Sequence, residues 1–161
     1  MDIRTGTRAS VLSNFVPRPF IFRGFPVASM EGLLQALKFK SPEMQLHVMT
    51  LVGKAAKFKG KPKKWWRTQT LWWQGEPIAR DSQEFQELLD EAFSALFEQN
   101  QAARRALLST GTAVLTHSLG KNDPTRTVLT EREFVSRLTQ LRARLKRIAV
   151  PHADSQQVTD R

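Results

Sequence analysis

The sequence predicts an α+β fold that is predominantly α-helical, with a small β-hairpin, in a single domain. Its 161 residues are 40% hydrophobic, which suffices for one compact core and requires no second domain. Apolar residues recur at helical spacing through most of the chain, and one short apolar run divided by a turn signal indicates the hairpin. We assign residues 1–150 to the domain and residues 151–161 to a polar, disordered C-terminal tail.

The first half of the chain begins with the predicted β-hairpin. It covers residues 20–28 and turns at Arg23-Gly24, and prolines in or beside both strands confine them to sheet edges. A helix over 29–40 follows, with Ser29 as its N-cap. The methionine and leucines of this helix form an apolar stripe that is suited to a core.

Two further helices and a less regular segment are predicted next. Ser41-Pro42 begins a helix, since serine caps well and proline suits the first helical position. A short basic helix covers 52–59 and ends at glycine and proline. The tryptophan-rich stretch 65–73 is predicted as helix that is broken by Gly75 and the residues after it.

Amphipathic helices dominate the second half. Phenylalanine, leucine and alanine recur there with a helical period. Thr130 and Glu133 have the spacing of a capping box, which begins the last helix. The predicted elements are helices over 82–100, 101–108 and 130–148, and a possible short strand over 113–116 within the loop 109–124.

Three polar residues of the first helix are the main functional candidates. Glu31, Gln35 and Lys38 are spaced by four and then three residues, which puts a carboxylate, an amide and an amine on one helix face. This face is either the wall of a cleft or a solvated surface. On a solvated surface, Glu31 and Lys38 form an ion pair worth only about a few tenths of a kcal/mol.

The chain is strongly basic, with a formal charge of +10, so its field attracts polyanions such as nucleic acid, nucleotides or pyrophosphates. A basic run without a single acid adjoins Trp65-Trp66. Cations beside exposed rings suit nucleic acid, through phosphate contacts and base stacking; a solvated helix end with buried tryptophans is the alternative. Basic residues in the last helix fit the polar face of an amphipathic helix. The run comprises Lys54, Lys57, Lys59, Lys61, Lys63, Lys64 and Arg67.

Composition also excludes several classes of protein. Zero cysteines rule out disulfides and thiolate metal sites, and His47, His117 and His152 have no metal-ligand spacing. We therefore assign no metal and no cofactor. No apolar run approaches the roughly 20 residues of a membrane span, and the N-terminus does not begin like a signal peptide. We expect a soluble cytoplasmic protein without a membrane partner, whose oligomeric state the sequence leaves open.

The order of several motifs resembles the NADAR family, which includes riboflavin-intermediate N-glycosidases. Ser13-Asn14-Phe15 precedes the hairpin, and Ser29-x-Glu31-x-x-x-Gln35-Ala36-x-Lys38-Phe39 follows it. This resemblance spans roughly residues 12 to 145 and implies a NADAR-like single domain with N-glycosidase activity. The later matching stretches are Ala95-Leu96-Phe97-Glu98-Gln99-Asn100, Leu107-Leu108-Ser109-Thr110-Gly111 and Asn122-Asp123.

Four departures from the family pattern indicate a divergent branch. Gly32 stands where the family usually has His after Glu, and His117 lies where it usually has Glu. In place of the family's usual Trp-Gly after Asn-Asp, this chain has the segment that begins at Pro124. Asp81 stands where the family has the Trp that opens the helix leading to its Ala-Lys-Phe stretch. The sequence around Glu31 is most similar to that of bacteriophage members of the family. This resemblance implies that the protein acts in the host cytoplasm.

The resemblance implies roles for residues along the chain. Glu31 would stabilise an oxocarbenium-like centre or activate water, and Lys38 would attack the opened sugar as a Schiff-base nucleophile. Asp123 is the second catalytic carboxylate, although Asn122-Asp123 also suits an ordinary turn. His117 has a polar role or a structural one. The substrate-binding candidates are Asn14, Phe15, Gln35, Trp65, Trp66, His117 and Asn122, and Asn14 alternatively caps the backbone.

The substrate classes that follow are ADP-ribose on a guanine base and riboflavin-pathway ribosylamine phosphates. The positive field and the tryptophans favour ADP-ribosylated nucleic acid, or a similar nucleotide-like anion, as the partner. The alternative is a module that binds nucleic acid or ADP-ribose without turnover.

Overall fold

A computed structural model of the chain describes residues 1–4 and 7–149, and the predicted tail over 151–161 lies outside the described residues. Within them, six α-helices and two antiparallel hairpins share one hydrophobic core, which confirms the predominantly helical α+β prediction. The elements are β1 (Phe20–Phe22), β2 (Phe25–Val27), α1 (Met30–Ala36), α2 (Pro42–Met49), α3 (Gly53–Gly60), β3 (Thr70–Trp73), β4 (Glu76–Ala79), α4 (Gln83–Gln99), α5 (Gln101–Leu108) and α6 (Glu131–Ala149).

The predicted N-terminal hairpin is confirmed. Arg23 and Gly24 both have positive φ, 49° and 86°, as a two-residue turn between antiparallel strands requires. The Gln99 side chain of α4 accepts from the Ile21 N–H at 2.7 Å and donates to the Ile21 carbonyl at 2.8 Å. The free edge of β1 is therefore covered by a side chain rather than left open to another strand.

The predicted helix over 65–73 is wrong. Trp65–Arg67 forms one 3-10 turn, and β3 then pairs with β4, with buried Leu71 opposite buried Ile78. Gln74 and Gly75 supply the turn, with φ of 47° and 88°. A Gln-Gly turn that follows the strand-favouring run Thr70-Leu71-Trp72-Trp73 is a hairpin signal of the same kind as Arg23-Gly24.

Two smaller predictions also need correction. The possible strand over 113–116 is only a single parallel bridge between Asp2 and Thr116. The first helix ends at Ala36, so Lys38 lies in the tight turn that follows, where its N–H donates to the Gln35 carbonyl at 3.1 Å.

The predicted helix starts are confirmed by their caps. The Ser29 and Ser41 hydroxyls accept backbone N–H bonds at the starts of α1 and α2. At α6, the Glu133 carboxylate accepts from the Thr130 N–H at 2.8 Å, and the Glu133 N–H donates to the Thr130 hydroxyl at 3.0 Å. Both bonds of the capping box are therefore present.

Arg142 departs from the expected solvated face of the last helix. It is buried and donates to the Thr110 hydroxyl at 2.8 Å. Lys146, one turn further along α6, donates to the Gly111 carbonyl. Both cations lie near the C-terminal end of α5, where unpaired carbonyls favour positive charge.

A close backbone approach fixes the position of α1. A Cβ at Gly32 would lie 2.4 Å from the Leu51 carbonyl oxygen, which no side chain tolerates. Glycine therefore lets α1 pack directly against the end of α2 and the residues after it. The same contact explains why this chain departs from the family pattern at Gly32.

The buried ion pair between Arg80 and Glu133 joins β4 to α6. Arg80 is 2% exposed and makes a two-bond contact with the Glu133 carboxylate, at 2.6 and 3.2 Å. Its Nε also donates to the Thr127 carbonyl at 3.1 Å. Burial raises the pKa of Glu133, but hydrogen bonds from Arg80, Gln86 and Thr130, together with the Arg80 charge, outweigh burial and lower it.

We predict that Glu133→Gln destabilises the fold by about 2 to 4 kcal/mol, because it leaves the Arg80 guanidinium buried without a counter-charge while glutamine preserves the capping box. The matched control is Glu91→Gln, which removes the partner of Arg23 in an exposed pair and should cost less than about 1 kcal/mol. Urea unfolding measures both, and equal losses would contradict the prediction.

The same pair predicts a pH dependence. Because the folded pKa of Glu133 is lowered, its stabilising contribution is fully present above the ordinary value of 4.5 and is lost as pH falls through the lowered pKa. The difference in unfolding free energy between wild type and Glu133→Gln should therefore shrink in acid. A difference that stays constant down to the acid transition would count against this assignment.

Candidate active site

The polar face of α1 forms one wall of a cleft of about 440 Å³. Glu31, Gln35 and Lys38 all line it, so the spacing prediction of a shared face is confirmed and the face is not a solvated surface. Segments from distant parts of the chain complete the walls. Other lining residues are Arg4, Ser13, Asn14, Phe15, Leu34, Lys57, Trp65, His117, Leu119, Lys121, Arg126, Thr127 and Phe134.

Glu31 is half-buried and held by its neighbour one helical turn away. The Gln35 amide nitrogen donates to Glu31 Oε1 at 2.8 Å. Burial raises the pKa of Glu31, while the Gln35 hydrogen bond and the charges of Lys38 and Lys57 oppose that rise without cancelling it. Glu31 therefore accepts a proton more readily than an exposed glutamate, as suits an acid-base role.

Lys38 is perturbed in the opposite sense. Burial lowers the pKa of its amine, and the nearby Glu31 charge only partly offsets this effect. A lower pKa increases the fraction of neutral amine, which is the nucleophilic form. Glu31 and Lys38 are thus two titratable groups on one wall of the cleft with pKa values shifted towards each other, which makes them the first candidates for an acid-base pair.

Gln35 is fixed in place by a glycine of α3. A Cβ at Gly60 would lie 1.9 Å from Gln35 Oε1, so only glycine leaves room for the amide. Gln35 Oε1 is buried and makes no hydrogen bond among the described residues. The amide is therefore oriented by packing against Gly60 and by its bond to Glu31.

The loop before the first hairpin contributes Asn14 and Phe15. The Asn14 carbonyl accepts the Glu31 N–H at 3.1 Å, which ties this loop to the first turn of α1. This bond is made by the Asn14 main chain, so it is not the side-chain cap considered from sequence, and Asn14 also lines the cleft. The Lys57 amine lies 6.0 Å from the centroid of the Phe15 ring, so an aromatic ring and a cation of α3 meet there.

The two adjacent tryptophans lie in different places. Trp65 is 7% exposed and belongs to both the core and the cleft wall. Trp66 is 38% exposed and does not line the cleft. Its ring lies between the guanidinium groups of Arg67 and Arg126, at 5.6 and 5.0 Å from the centroid. Trp66 therefore positions Arg126, a cleft residue, and the structure gives it no direct place in the site.

His117 does reach the cleft. Burial lowers the pKa of its imidazole, and the carboxylates of Asp2 and Glu131 partly oppose this. Its ring packs against Phe134 with centroids 5.5 Å apart, and the His117 backbone N–H donates to the Glu131 carboxylate at 3.3 Å. A half-buried, predominantly neutral imidazole can accept or donate one hydrogen bond to a ligand.

Asn122 and Asp123 are not brought into the cleft. The Asn122 side chain accepts from the Arg132 N–H at 3.0 Å, so it caps the first turn of α6. Asp123 is exposed, and its carboxylate accepts both the N–H and the hydroxyl of Thr125. These hydrogen bonds lower the pKa of Asp123. Both residues thus serve the ordinary turn that the sequence also allowed, and the cleft lacks the predicted second carboxylate.

Sequence reasoning missed three cations of the site. Arg4, Lys121 and Arg126 line the cleft from the N-terminus and from the loop before α6. No motif marks them, although Arg126 follows the family-like Asn122-Asp123. Among the described residues, the lining therefore has five cationic side chains and a single carboxylate, Glu31. The five are Arg4, Lys38, Lys57, Lys121 and Arg126.

The predicted basic run is divided by the structure. Lys57 lines the cleft, whereas the other members lie outside it, exposed on the surface. Lys63 covers the Phe39 ring at 4.9 Å. Within residues 1–4 and 7–149, none of the run is in an ion pair with a carboxylate. The members outside the cleft, all exposed, are Lys54, Lys59, Lys61, Lys63, Lys64 and Arg67.

Two negative findings apply to the described part of the chain. No three His, Asp or Glu side chains there converge as a metal ion would require. In the same residues, every helix is too short or too polar to cross a membrane.

The fold is shared with a solved structure. The NMR structure of the Escherichia coli protein YbiA has the same fold, with a TM-score of 0.64 over 92% of this chain and 85% of that chain. The two sequences are 19% identical.

The particular family is a phage one. The family model described as Bacteriophage protein GP30.3 matches residues 6–143. An "Uncharacterized 17.1 kDa protein in Gp30-rIII intergenic region" of Enterobacteria phage T4 is 36% identical over 151 residues, covering 88% of this chain and 96% of that protein. The chain belongs to the Bacteriophage protein GP30.3 family, a divergent phage branch of the NADAR-like proteins.

We predict that Glu31→Gln stabilises the fold at neutral pH. Because burial raises the folded pKa of Glu31, the ionised carboxylate costs stability once pH exceeds its ordinary value of 4.5, and the cost is complete above the raised pKa. Glutamine removes the charge and can still accept the Gln35 bond. Urea unfolding at neutral pH should show the variant to be more stable, with the gain vanishing in acid; an equal gain at both pH values would refute the assignment.

Proposed function

We propose that this protein is an N-glycosidase that removes ADP-ribose from guanine in nucleic acid. The observation that carries the proposal is the half-buried Glu31–Lys38 pair on one wall of a cleft whose remaining charges are cationic. Membership of a NADAR-like family agrees with glycosidase chemistry.

The reaction divides between the two residues of the pair. The neutral Lys38 amine attacks the anomeric carbon of the ribose, forming an Nζ–C1′ bond while the bond from C1′ to the guanine nitrogen breaks. Glu31 gives its proton to the leaving nitrogen. The ribose ring oxygen takes up the amine proton as the ring opens to an imine. Water then hydrolyses the protonated imine, which releases ADP-ribose, restores the neutral amine and returns a proton to Glu31.

The cations suit the anionic half of the substrate. ADP-ribose carries a pyrophosphate, which accepts charge-assisted hydrogen bonds from lysine and arginine side chains. We assign that role to Lys57, Lys121 and Arg126, whose exposed side chains line the cleft with Glu31. Phe15 and Trp65 supply apolar surface for a ribose or base.

The charge also favours this substrate over a riboflavin-pathway ribosylamine phosphate. A small phosphate ester needs only one or two cations, whereas five line the cleft. The exposed basic residues beyond the cleft would have no function for a small metabolite, but they attract the phosphates of a nucleic acid that carries the modified base.

The decisive assay measures release of ADP-ribose from an oligonucleotide with guanine-linked ADP-ribose, beside a ribosylamine phosphate. We expect wild type to hydrolyse the oligonucleotide, and Glu31→Gln and Lys38→Ala each to lose about 100-fold or more in kcat. Lys40→Ala is the matched control, because Lys40 is exposed over Trp72 and does not line the cleft. It should retain wild-type turnover.

Borohydride distinguishes the imine route. Reduction during turnover should couple the sugar covalently to wild type and to Glu31→Gln, but never to Lys38→Ala. If wild type turns over neither substrate but still binds the modified oligonucleotide, the protein is the binding module and not an enzyme. Preference for the ribosylamine phosphate would overturn the proposed substrate.

Arg126 should govern substrate affinity rather than chemistry. We predict that Arg126→Gln raises KM about tenfold or more, through the loss of a charged hydrogen bond to phosphate, and leaves kcat within a few-fold of wild type. Arg132→Gln is the control, since Arg132 is exposed and lies outside the cleft lining. A fall in kcat at unchanged KM would instead assign Arg126 to the transition state.

A further inference from the structure

We propose that α3 carries a docking surface for single-stranded DNA, on which Phe58 stacks against a base and Lys54 and Lys61 bind the flanking phosphates. This proposal extends the proposed function. It rests on that function for one point, the direction in which the strand leaves the cleft. Its test uses unmodified DNA, so that it does not depend on catalysis.

Phe58 is the most unusual side chain of α3. It is 60% exposed on an eight-residue helix, Gly53–Gly60. A single exposed apolar residue is ordinary, so its neighbours decide its meaning. Lys54 precedes Phe58 by four residues and Lys61 follows it by three, which puts all three on one helix face with Lys57 beside them. A phenyl ring flanked by cations can stack on a base while the cations hold phosphates.

The charge on this face has no partner in the folded chain. No Asp or Glu stands anywhere between Glu43 and Glu76, and the described residues contain no ion pair to the three lysines. Two like charges four residues apart on a helix destabilise it by about a few tenths of a kcal/mol. A bound polyanion relieves that repulsion.

Helix stability does not explain where the lysines lie. Cations near the C-terminal end of a helix interact favourably with its dipole, which accounts for Lys57 and Lys59. Lys54 lies in the first turn, where the dipole disfavours a cation and where α3 has no acidic residue. The placement of Lys54 therefore costs helix stability and calls for a binding role.

The face is continuous with the cleft. Lys57 lines the cleft and approaches the Phe15 ring, while Phe58 is the next residue on the exposed side of the same helix. A strand whose modified base enters the cleft would thus pass Lys57 and meet Phe58 immediately outside.

The chemistry of the face suits a single strand of DNA. A phenyl ring can stack on the face of a base only when that base is not already stacked within a duplex. Stacking on a phenyl ring and lysine contacts to phosphates need no 2′-hydroxyl, so a DNA strand satisfies every contact that this face makes. Duplex DNA and RNA are therefore the competitors against which the surface is tested.

Binding of a labelled, unmodified oligodeoxynucleotide measures the surface directly, by fluorescence polarisation against salt. Wild type should bind the single strand more tightly than its duplex and at least as tightly as the same sequence in RNA. Phe58→Leu keeps apolar area but removes the ring, and should weaken binding about tenfold or more, whereas Phe58→Trp should retain it. Lys54→Gln with Lys61→Gln should reduce the slope of log K against log salt by about 1.4.

Arg144→Gln with Arg147→Gln is the matched control, because it removes the same charge from exposed positions of α6. It should leave the slope nearly unchanged. An equal loss in both double variants, unaltered binding by Phe58→Leu, or tighter binding of duplex or RNA would each overturn the proposal. Glu31→Gln should bind like wild type, so failure of hydrolysis alone leaves the surface intact, and failure of the surface leaves hydrolysis to be judged separately.

Discussion

The buried ion pair between Arg80 and Glu133 is the interaction on which the site most depends. It joins the second hairpin to the start of α6, and its third bond holds the carbonyl of Thr127, a residue of the cleft wall. A single guanidinium thereby determines where the loop before α6 runs, and with it the position of Arg126. Such a pair stabilises little relative to an apolar substitute, but a missing partner is severely destabilising, so it acts mainly by specifying one arrangement.

Two glycines determine how closely other elements pack around α1. Gly32 lets the backbone after α2 lie directly against α1, and Gly60 lets α3 close over the Gln35 amide. The Gln35 amide in turn holds Glu31, and burial is the largest influence on the pKa of Glu31. The close packing around α1 thus originates in backbone approaches that missing side chains allow.

The elements that local chemistry determines were predictable, and those that depend on distant contacts were not. The helix starts were predicted from their capping residues, Ser29, Ser41 and Thr130. The spacing of Glu31 and Lys38 predicted a shared face, which lines the cleft. The hairpin of β3 and β4 was missed because neighbouring tryptophans suit either structure and Gln74 is a rare residue at positive φ. Arg4 and Lys121 reach the cleft only through the fold. Asp123 matched a motif, but the local Thr125 bonds occupy its carboxylate.

The cations of the cleft link substrate binding to the protonation of Glu31. The charges of Lys38 and Lys57 hold its pKa below the value that burial alone would give. A pyrophosphate bound to Lys57 would cancel much of that influence, since its negative charge would lie close to the amine. The pKa of Glu31 would then rise, and the acid would be loaded with its proton when the leaving base is in place. The same anion would raise the pKa of Lys38, so the cleft works best if the phosphates lie nearer to Lys57 than to Lys38, as the position of Lys57 beside the exposed basic face of α3 favours.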